Sequence, residues 1–233
     1  MGENLDFGSQ TLIPLFTTKS GEVLGITETH INTWIIMAVL IVIALIVRSK
    51  IKNFKEVPET KLQNLAETLV DLFNNFVAST MGQQNKAFAS FYGPLFIFIL
   101  VCNLSGLIGL RAPTADFATT LAFALTTFLM IHGFGVKAKG PGYFKFLIEP
   151  FPFLLPINLI GEIATPISLS FRLFGNILGG TIIMGLVYAM FPWILTLIGV
   201  PAALHMYFDI FAGSLQAFIF VMLSMTFVSG AME

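Results

Sequence analysis

One arginine and one glutamate are the only side chains charged at neutral pH in the apolar run of residues 151–190. Arg172 is a permanent cation, because the guanidinium group keeps its proton at any physiological pH. A cation at this depth of an apolar segment is costly unless it faces an anion or water. Glu162 lies ten residues earlier, which is about 15 Å along a straight helix and too far for direct pairing. The sequence therefore predicts that Arg172 meets water or an anionic group from elsewhere.

Two polar stripes accompany these charges. Ser168 and Asn176 lie four residues to either side of Arg172, so the three share one helix face. His205, Asp209 and Gln216 are spaced by four and seven residues, and therefore also share a face. Ionisable and amide groups on one side of two neighbouring apolar segments are typical of an ion pathway across a membrane.

Simpler interpretations exist for each of these residues. Arg172 can be a snorkelling interfacial side chain, or it can form a structural ion pair with Asp209. Asp209 and His205 can be solvated residues near a membrane surface. Gln216 can hold two helices together, and His132 is interpreted as a lone interfacial histidine without a role.

The composition places these residues in a membrane protein. The chain has 233 residues, of which 56% are hydrophobic and 11% are charged, whereas about 25% are charged in soluble domains. The net charge of −1 gives no reason to expect nucleic acid as a partner. We therefore predict an all-α integral membrane protein.

Apolar runs and breaker residues divide the chain into segments. Residues 31–47 form an apolar run long enough to span a bilayer, and residues 59–80 carry Leu and Phe at helical spacing opposite polar groups. The last two apolar stretches are each about twice the length of one perpendicular span, which favours long tilted helices with kinked starts. The predicted segments are an N-terminal arm (1–30), a first transmembrane helix (31–48), a link with an interfacial amphipathic helix (49–87), a transmembrane hairpin (88–136), a loop (137–149) and two long, strongly tilted helices that form a membrane-embedded hairpin (150–233).

Basic residues predict the orientation. If the spans alternate, nine basic residues fall on one side, namely Arg48, Lys50, Lys52, Lys55, Lys61, Lys86, Lys137, Lys139 and Lys145. The opposite side receives only Lys19 and Arg111. Cytoplasmic loops are enriched in Lys and Arg, so we expect an external N-terminus, a cytoplasmic C-terminus and a cytoplasmic loop at 137–149.

Two motifs in the last third of the chain resemble a known family. PISLSFRLFGNILGG, followed about forty residues later by SLQAFIF, is similar to subunit a of the rotary F-type ATP synthases of bacteria and chloroplasts. The resemblance implies a multi-pass protein of the bacterial plasma membrane. Its implied partners are a ring of c subunits, the b subunits of the peripheral stalk, the remaining ATP synthase subunits and the lipid bilayer, without a cofactor.

The resemblance also implies roles for the polar residues. In the family, ions reach a carboxylate on each ring subunit through two offset half-channels, and an arginine makes the ring release its ion and prevents leakage. Arg172 matches that arginine. With the predicted orientation, Glu162 belongs to the cytoplasmic half-channel, and Asp209 with His205 belongs to the external one. The residues expected to line the pathway are Ser168, Asn176, Thr181 and Gln216.

The transported ion is a proton or sodium. Many proton-driven relatives carry Glu or His nine positions after the arginine, where this chain has Thr181. A hydroxyl group does not titrate but can bind a cation, so Thr181 favours sodium. The ring's own binding site, which belongs to another chain, decides between the two ions.

Two other classes of function compete with this one. A stand-alone secondary transporter with a midplane polar site would show internal repeats, and we find none between the two halves. A purely structural scaffold leaves the polar stripes unexplained. The sequence lacks a phosphate-binding GxxxxGK[ST] motif, so we expect no catalytic site in this chain.

Overall fold

The computed structural model describes residues 11–17, 23–52, 54–55, 58, 60–149, 151–190 and 199–233. Five helices in these residues are long and apolar enough to span a membrane. This confirms the predicted all-α membrane fold. The spans and the helix between the first two are labelled α1 to α6 below.

A two-stranded antiparallel sheet precedes the first span, within the segment that the sequence predicts as an N-terminal arm. Strand β1 (Thr11–Thr17) pairs with strand β2 (Val23–Thr27) in antiparallel fashion. Gly25 permits this pairing, because a Cβ atom there would lie 2.0 Å from the carbonyl oxygen of Ile13. Helix α1 (Glu28–Ile51) follows immediately, so it begins three residues before the predicted position 31. Its apolar side chains are largely exposed, as expected for a helix that faces lipid.

The amphipathic helix α2 (Lys61–Met81) begins at Thr60, whose side chain accepts a hydrogen bond from the backbone nitrogen of Gln63 at 3.2 Å. It ends at Gly82, which has a φ of 88°. One face of α2 buries Phe73 and Val77, whereas several leucines are exposed. This helix therefore packs on the bundle along one side and leaves apolar groups uncovered on the other.

The transmembrane hairpin consists of α3 (Ala89–Leu104) and α4 (Phe117–Lys139). Asp116 caps α4 by accepting a hydrogen bond from the backbone nitrogen of Ala118 at 3.1 Å. Short 3₁₀ segments surround these helices at Gln83–Phe88, Ser105–Ile108, Pro113–Ala115 and Gly140–Leu147. The α4 helix thus continues three residues into the predicted loop 137–149, and most of that loop is helical.

The last two helices are α5 (Leu155–Met190) and α6 (Val200–Met232). Helix α5 has 36 residues and passes through Pro166 without ending. At 1.5 Å per residue it is about 54 Å long, so it cannot stand upright in a hydrocarbon core of about 30 Å. Helix α6 is interrupted by a π-helical stretch at Met206–Ala212.

The core lies where α3, α4, α5 and α6 meet. Its largest fully buried side chains include Tyr92, Ile99, Leu173, Phe220 and Met225. Two hydroxyl pairs cross the interfaces, with Thr120 and Ser170 at 3.1 Å and Thr127 and Ser224 at 3.0 Å. These contacts fix α5 and α6, which carry the predicted ion-pathway residues, against the hairpin.

Candidate functional site

Arg172 lies on an exposed face of α5. Ser168 and Asn176, one turn to either side, are exposed as well, so the structure keeps the predicted stripe on one face. Within the described part of the chain, no salt bridge joins Arg172 to Asp209 or to another carboxylate. The interpretation of Arg172 and Asp209 as a structural ion pair is therefore wrong.

A groove of about 240 Å³ begins at Arg172. We call it the Arg172 groove, and its lining residues are Gly161, Ala164, Thr165, Ser168, Leu169, Arg172, Leu223 and Phe227. Small side chains on α5 and two apolar side chains on α6 shape it. The guanidinium group and the Ser168 hydroxyl are its strongest hydrogen-bonding groups, so it can hold water or an anionic partner.

A second cavity, of about 290 Å³, lies at Glu162. This Glu162 cavity is lined by Ile131, Lys139, Tyr143, Phe146, Glu162, Thr165, Phe227, Gly230 and Ala231. Thr165 and Phe227 also line the Arg172 groove. The two spaces are therefore neighbours.

His132 contacts Glu162 in this region. Its Nε2 atom lies 3.6 Å from Glu162 Oε2, and its Nδ1 atom lies 3.2 Å from the hydroxyl oxygen of Tyr143. Burial and the nearby Glu162 charge raise the pKa of Tyr143 above its ordinary value, so the Tyr143 hydroxyl stays neutral at physiological pH. The interpretation of His132 as a lone interfacial histidine is wrong, because it connects Tyr143 to Glu162.

A third cavity, of about 420 Å³, lies at Asp209 on the other side of Arg172 along the two helices. Residues of α1, of α3, of the segment between α3 and α4, of α5 and of α6 line this Asp209 cavity, including Glu28, Asn103, Gly106, Arg111, Thr181, Tyr188, His205 and Asp209. His205 Nδ1 lies 2.5 Å from Asp209 Oδ2, as the four-residue spacing predicts. Tyr188 adds a hydroxyl 2.9 Å from His205 Nε2.

The π-helical stretch places Asp209. A π-turn contains more residues than an α-turn and is often found at functional sites. Asp209 is directed toward Gly106, since a Cβ atom on that glycine would lie 3.6 Å from Asp209 Oδ2. Asn103 supports the same region by donating a hydrogen bond to the carbonyl oxygen of Gly213 at 2.8 Å.

Asn176 and Gln216 connect α5 to α6 between the Arg172 groove and the Asp209 cavity. The Asn176 side-chain nitrogen donates a hydrogen bond to Gln216 Oε1 at 2.6 Å. Gln216 is 3% exposed, and its buried Nε2 has no hydrogen-bond partner among the described residues. On α5 this pair lies one helical turn beyond Arg172.

Thr181 lies on the wall of the Asp209 cavity. Its hydroxyl donates a hydrogen bond to the carbonyl oxygen of Ile177 at 3.0 Å, which leaves the lone pairs of the hydroxyl oxygen available to a cation or water.

Sequence reasoning missed His132, Tyr143 and Tyr188. Each lies on a different segment from the carboxylate of its cluster, which is Glu162 for His132 and Tyr143 and Asp209 for Tyr188. Spacing along one helix cannot reveal such contacts. The available signal was polarity, since His132 is one of only three histidines in the chain. Tyr143 carried no signal of its own, because tyrosine is common at membrane interfaces.

Comparison with known proteins identifies the family. The sequence model described as "ATP synthase A chain" matches residues 30–229. The chain is 36% identical to "ATP synthase subunit a, sodium ion specific" of Propionigenium modestum over 88% of this chain and 74% of that protein. It is 34% identical to ATP synthase subunit a of Moorella thermoacetica, which covers 88% of this chain and 90% of that protein.

A further relative, ATP synthase subunit a of Nitratidesulfovibrio vulgaris, is 40% identical over 86% of this chain and 84% of its own length. The family match covers most of the chain, including every residue of the two polar stripes. The five apolar helices agree with a protein that crosses the membrane several times. This chain belongs to the ATP synthase subunit a family and is a multi-pass membrane subunit of an ATP synthase complex.

Proposed function

We propose that this subunit carries ions to and from a rotating ring of c subunits through two separate half-channels. The Glu162 cavity, with the Arg172 groove beside it, forms the cytoplasmic half-channel. The Asp209 cavity forms the external half-channel. Arg172 stands between them and faces the ring. The Lys and Arg asymmetry supports an external N-terminus and a cytoplasmic C-terminus in the bacterial plasma membrane.

The exposed, unneutralised Arg172 is the observation that carries this proposal. Phe171 and Ile160 on the exposed side of α5 are 54% and 67% exposed, so this side is apolar and uncovered by the rest of the described chain. A cation in such a face calls for an anionic partner from a second membrane protein. A ring subunit with a mid-membrane carboxylate supplies it.

The chemistry at Arg172 follows from charge. A fixed cation stabilises an ionised carboxylate and disfavours one that carries a proton or a sodium ion. A ring carboxylate that approaches Arg172 therefore releases its ion into one half-channel, and it reloads from the other after passing. Arginine suits this role better than lysine, because burial does not neutralise it.

Thr181 favours sodium as the transported ion. Its hydroxyl oxygen lines the proposed external half-channel and can act as a sodium ligand without titrating. One relative is named as sodium ion specific, which supports the same choice. A proton remains the alternative, and the carboxylates at both ends serve either ion. Because the chain belongs to this family, we also propose that the b subunits of the peripheral stalk are its partners.

Arg172→Ala in the complete complex tests the proposal. We expect ATP synthesis driven by a sodium or a proton gradient to fall by at least about 100-fold, while hydrolysis by the detached soluble head is unchanged. Arg48→Ala, an exposed cation at the end of α1, is the matched control and should stay near wild type.

Retained coupling in Arg172→Ala would contradict the proposal. So would solute transport by this chain alone in liposomes, which would favour a secondary transporter.

A further inference from the structure

The connection between Tyr143, His132 and Glu162 has a counterpart on the other side of Arg172. There, Tyr188 contacts His205 at 2.9 Å and His205 contacts Asp209 at 2.5 Å. Both carboxylates therefore have an imidazole beside them and a tyrosine hydroxyl on the second ring nitrogen. The Asp209 set lies on α5 and α6, whereas the Glu162 set draws its histidine from α4. The same combination built from different elements indicates a shared task.

The contacts of His132 favour one neutral tautomer. The Tyr143 hydroxyl keeps its proton, so it can donate to His132 Nδ1 at 3.2 Å. The Nε2 atom then carries the hydrogen, which is directed at the Glu162 carboxylate 3.6 Å away. The buried Nε2 has no closer hydrogen-bond partner among the described residues. The Glu162 carboxylate is therefore close enough to interact electrostatically with the imidazole, but it is not hydrogen-bonded to it.

Protonation of His132 changes this arrangement. The imidazolium places a positive charge beside Glu162, and an opposite charge at this distance holds a carboxylate ionised and paired. Glu162 can then no longer exchange a cation freely. His132 adjoins the Glu162 cavity through Glu162 and Tyr143, and the other residues that line this cavity do not offset the effect. Tyr143 is neutral, Lys139 on the same cavity is a cation, and the residues of α6 that line the cavity (Phe227, Gly230 and Ala231) are uncharged.

Resting on the proposed function, we propose that His132 is a positioning residue of the cytoplasmic half-channel, oriented by Tyr143. It controls the Glu162 carboxylate so that ion exchange with the cytoplasm is fast when His132 is neutral and slow when it is protonated. Histidine suits such a control, because its ordinary charge change falls between about pH 5 and 8.

The test uses the complete ATP synthase in liposomes with the soluble head outward, so that the medium represents the cytoplasmic side. ATP-driven pumping is measured with an oxonol dye, which reports membrane potential whichever cation moves. The rate is divided by that of uncoupled ATP hydrolysis, and only the pH of the medium is varied. Wild-type pumping should fall toward acid pH, approaching about ten-fold per pH unit at its steepest.

His132→Gln should remove this acid limb, because glutamine keeps an amide hydrogen near Glu162 and cannot be protonated. His30→Gln is the matched control. His30 is exposed at the start of α1, so this variant should keep the wild-type profile. A His132→Gln enzyme with an unchanged acid limb, at any absolute rate, would overturn the inference.

A second pair of variants moves Tyr143 and leaves His132 unchanged. An added Cβ atom on Gly135 would lie 2.3 Å from Tyr143 Cε2, whereas one on Gly133 meets nothing within 4 Å. Gly135→Ala should therefore displace the tyrosine ring, lower normalised pumping several-fold and shift the acid limb, while Gly133→Ala should match wild type. Equal pH profiles of pumping in Gly135→Ala and Gly133→Ala would also overturn the inference. This second test remains decisive if the His132→Gln complex does not assemble.

The two proposals fail in different ways. If Arg172→Ala abolishes coupling while His132→Gln keeps the wild-type acid limb, only the control by His132 is rejected. If Arg172→Ala retains coupling, the half-channel function itself is rejected.

Discussion

The three charged side chains of the two long helices are held differently. Arg172 is exposed and meets no carboxylate among the described residues. Glu162 and Asp209 each lie in a cavity beside a histidine. Arg172 has no such partner among the described residues, whereas each carboxylate has one. This difference supports the proposal that Arg172 acts on a carboxylate of another, moving subunit.

Spacing along one helix predicts only part of this site. The contact of His205 with Asp209 and the stripe around Arg172 follow from periods of three to four residues. The sequence predicts that Asn176 and Gln216 line the same pathway as Arg172, but it does not predict the hydrogen bond between them. The contact of His132 with Glu162 could not be predicted, because it depends on how α4 packs on α5.

Asp209→Asn tests the role of this carboxylate. We expect ion-driven ATP synthesis to fall by at least about 100-fold, because asparagine neither transfers a proton nor neutralises a cation. Asp116→Asn, measured in parallel in the same assay, is the control. Asp116 accepts bonds from Thr29 and Ala118 at the start of α4, and asparagine caps helices as well as aspartate does. Equal rates in the two variants would argue against a pathway role for Asp209.

At the scale of elements, the lengths of α5 and α6 were predictable and their local geometry was not. No breaker other than glycine lies between Pro166 and position 190, so the sequence predicts a long helix there. The π-helical stretch at Met206–Ala212 has no comparable signal in the sequence. The pairing of β1 with β2 was also missed, since Pro14 and Gly25 are residues that often interrupt strands.

The close approach of α5 to the π-helical stretch is the basis of a prediction. A Cβ atom on Gly180 would lie 3.3 Å from Phe208 Cβ, whereas one on Gly179 meets nothing within 4 Å. Phe208 is adjacent to Asp209, so crowding at Gly180 displaces the segment that carries the carboxylate. Gly180→Val should destabilise the fold by about 1–3 kcal/mol through overpacking.

Thermal unfolding of the purified complex and ATP-driven pumping measure both effects. Gly179→Val makes the same change in helix propensity and serves as the control. Similar stability and pumping in the two variants would show that the contact between Gly180 and Phe208 does not position Asp209.

At the scale of the whole molecule, composition and charge predict the membrane class, the number of spans and the side on which each loop lies. They cannot predict the three cavities along α5 and α6, because each cavity is lined by residues from more than one element. In the proposed function, coupling depends on the separation of the Glu162 cavity from the Asp209 cavity. A continuous channel would let ions cross without turning a ring.

Thr165 and Thr181 allow that separation to be measured directly. Thr165 lines the Glu162 cavity and the Arg172 groove, and Thr181 lines the Asp209 cavity. Each hydroxyl donates to the carbonyl oxygen four residues earlier, so Thr→Cys is an equivalent change at both sites. The native Cys102 is fully buried and should stay unlabelled.

The measurement is labelling of Thr165→Cys and Thr181→Cys in the assembled complex by a membrane-impermeant thiol reagent, applied to one side of sealed vesicles at a time. We expect Thr165→Cys to react only from the cytoplasmic side and Thr181→Cys only from the external side. Reaction of both from the same side, or of either from both sides, would contradict two half-channels separated at Arg172.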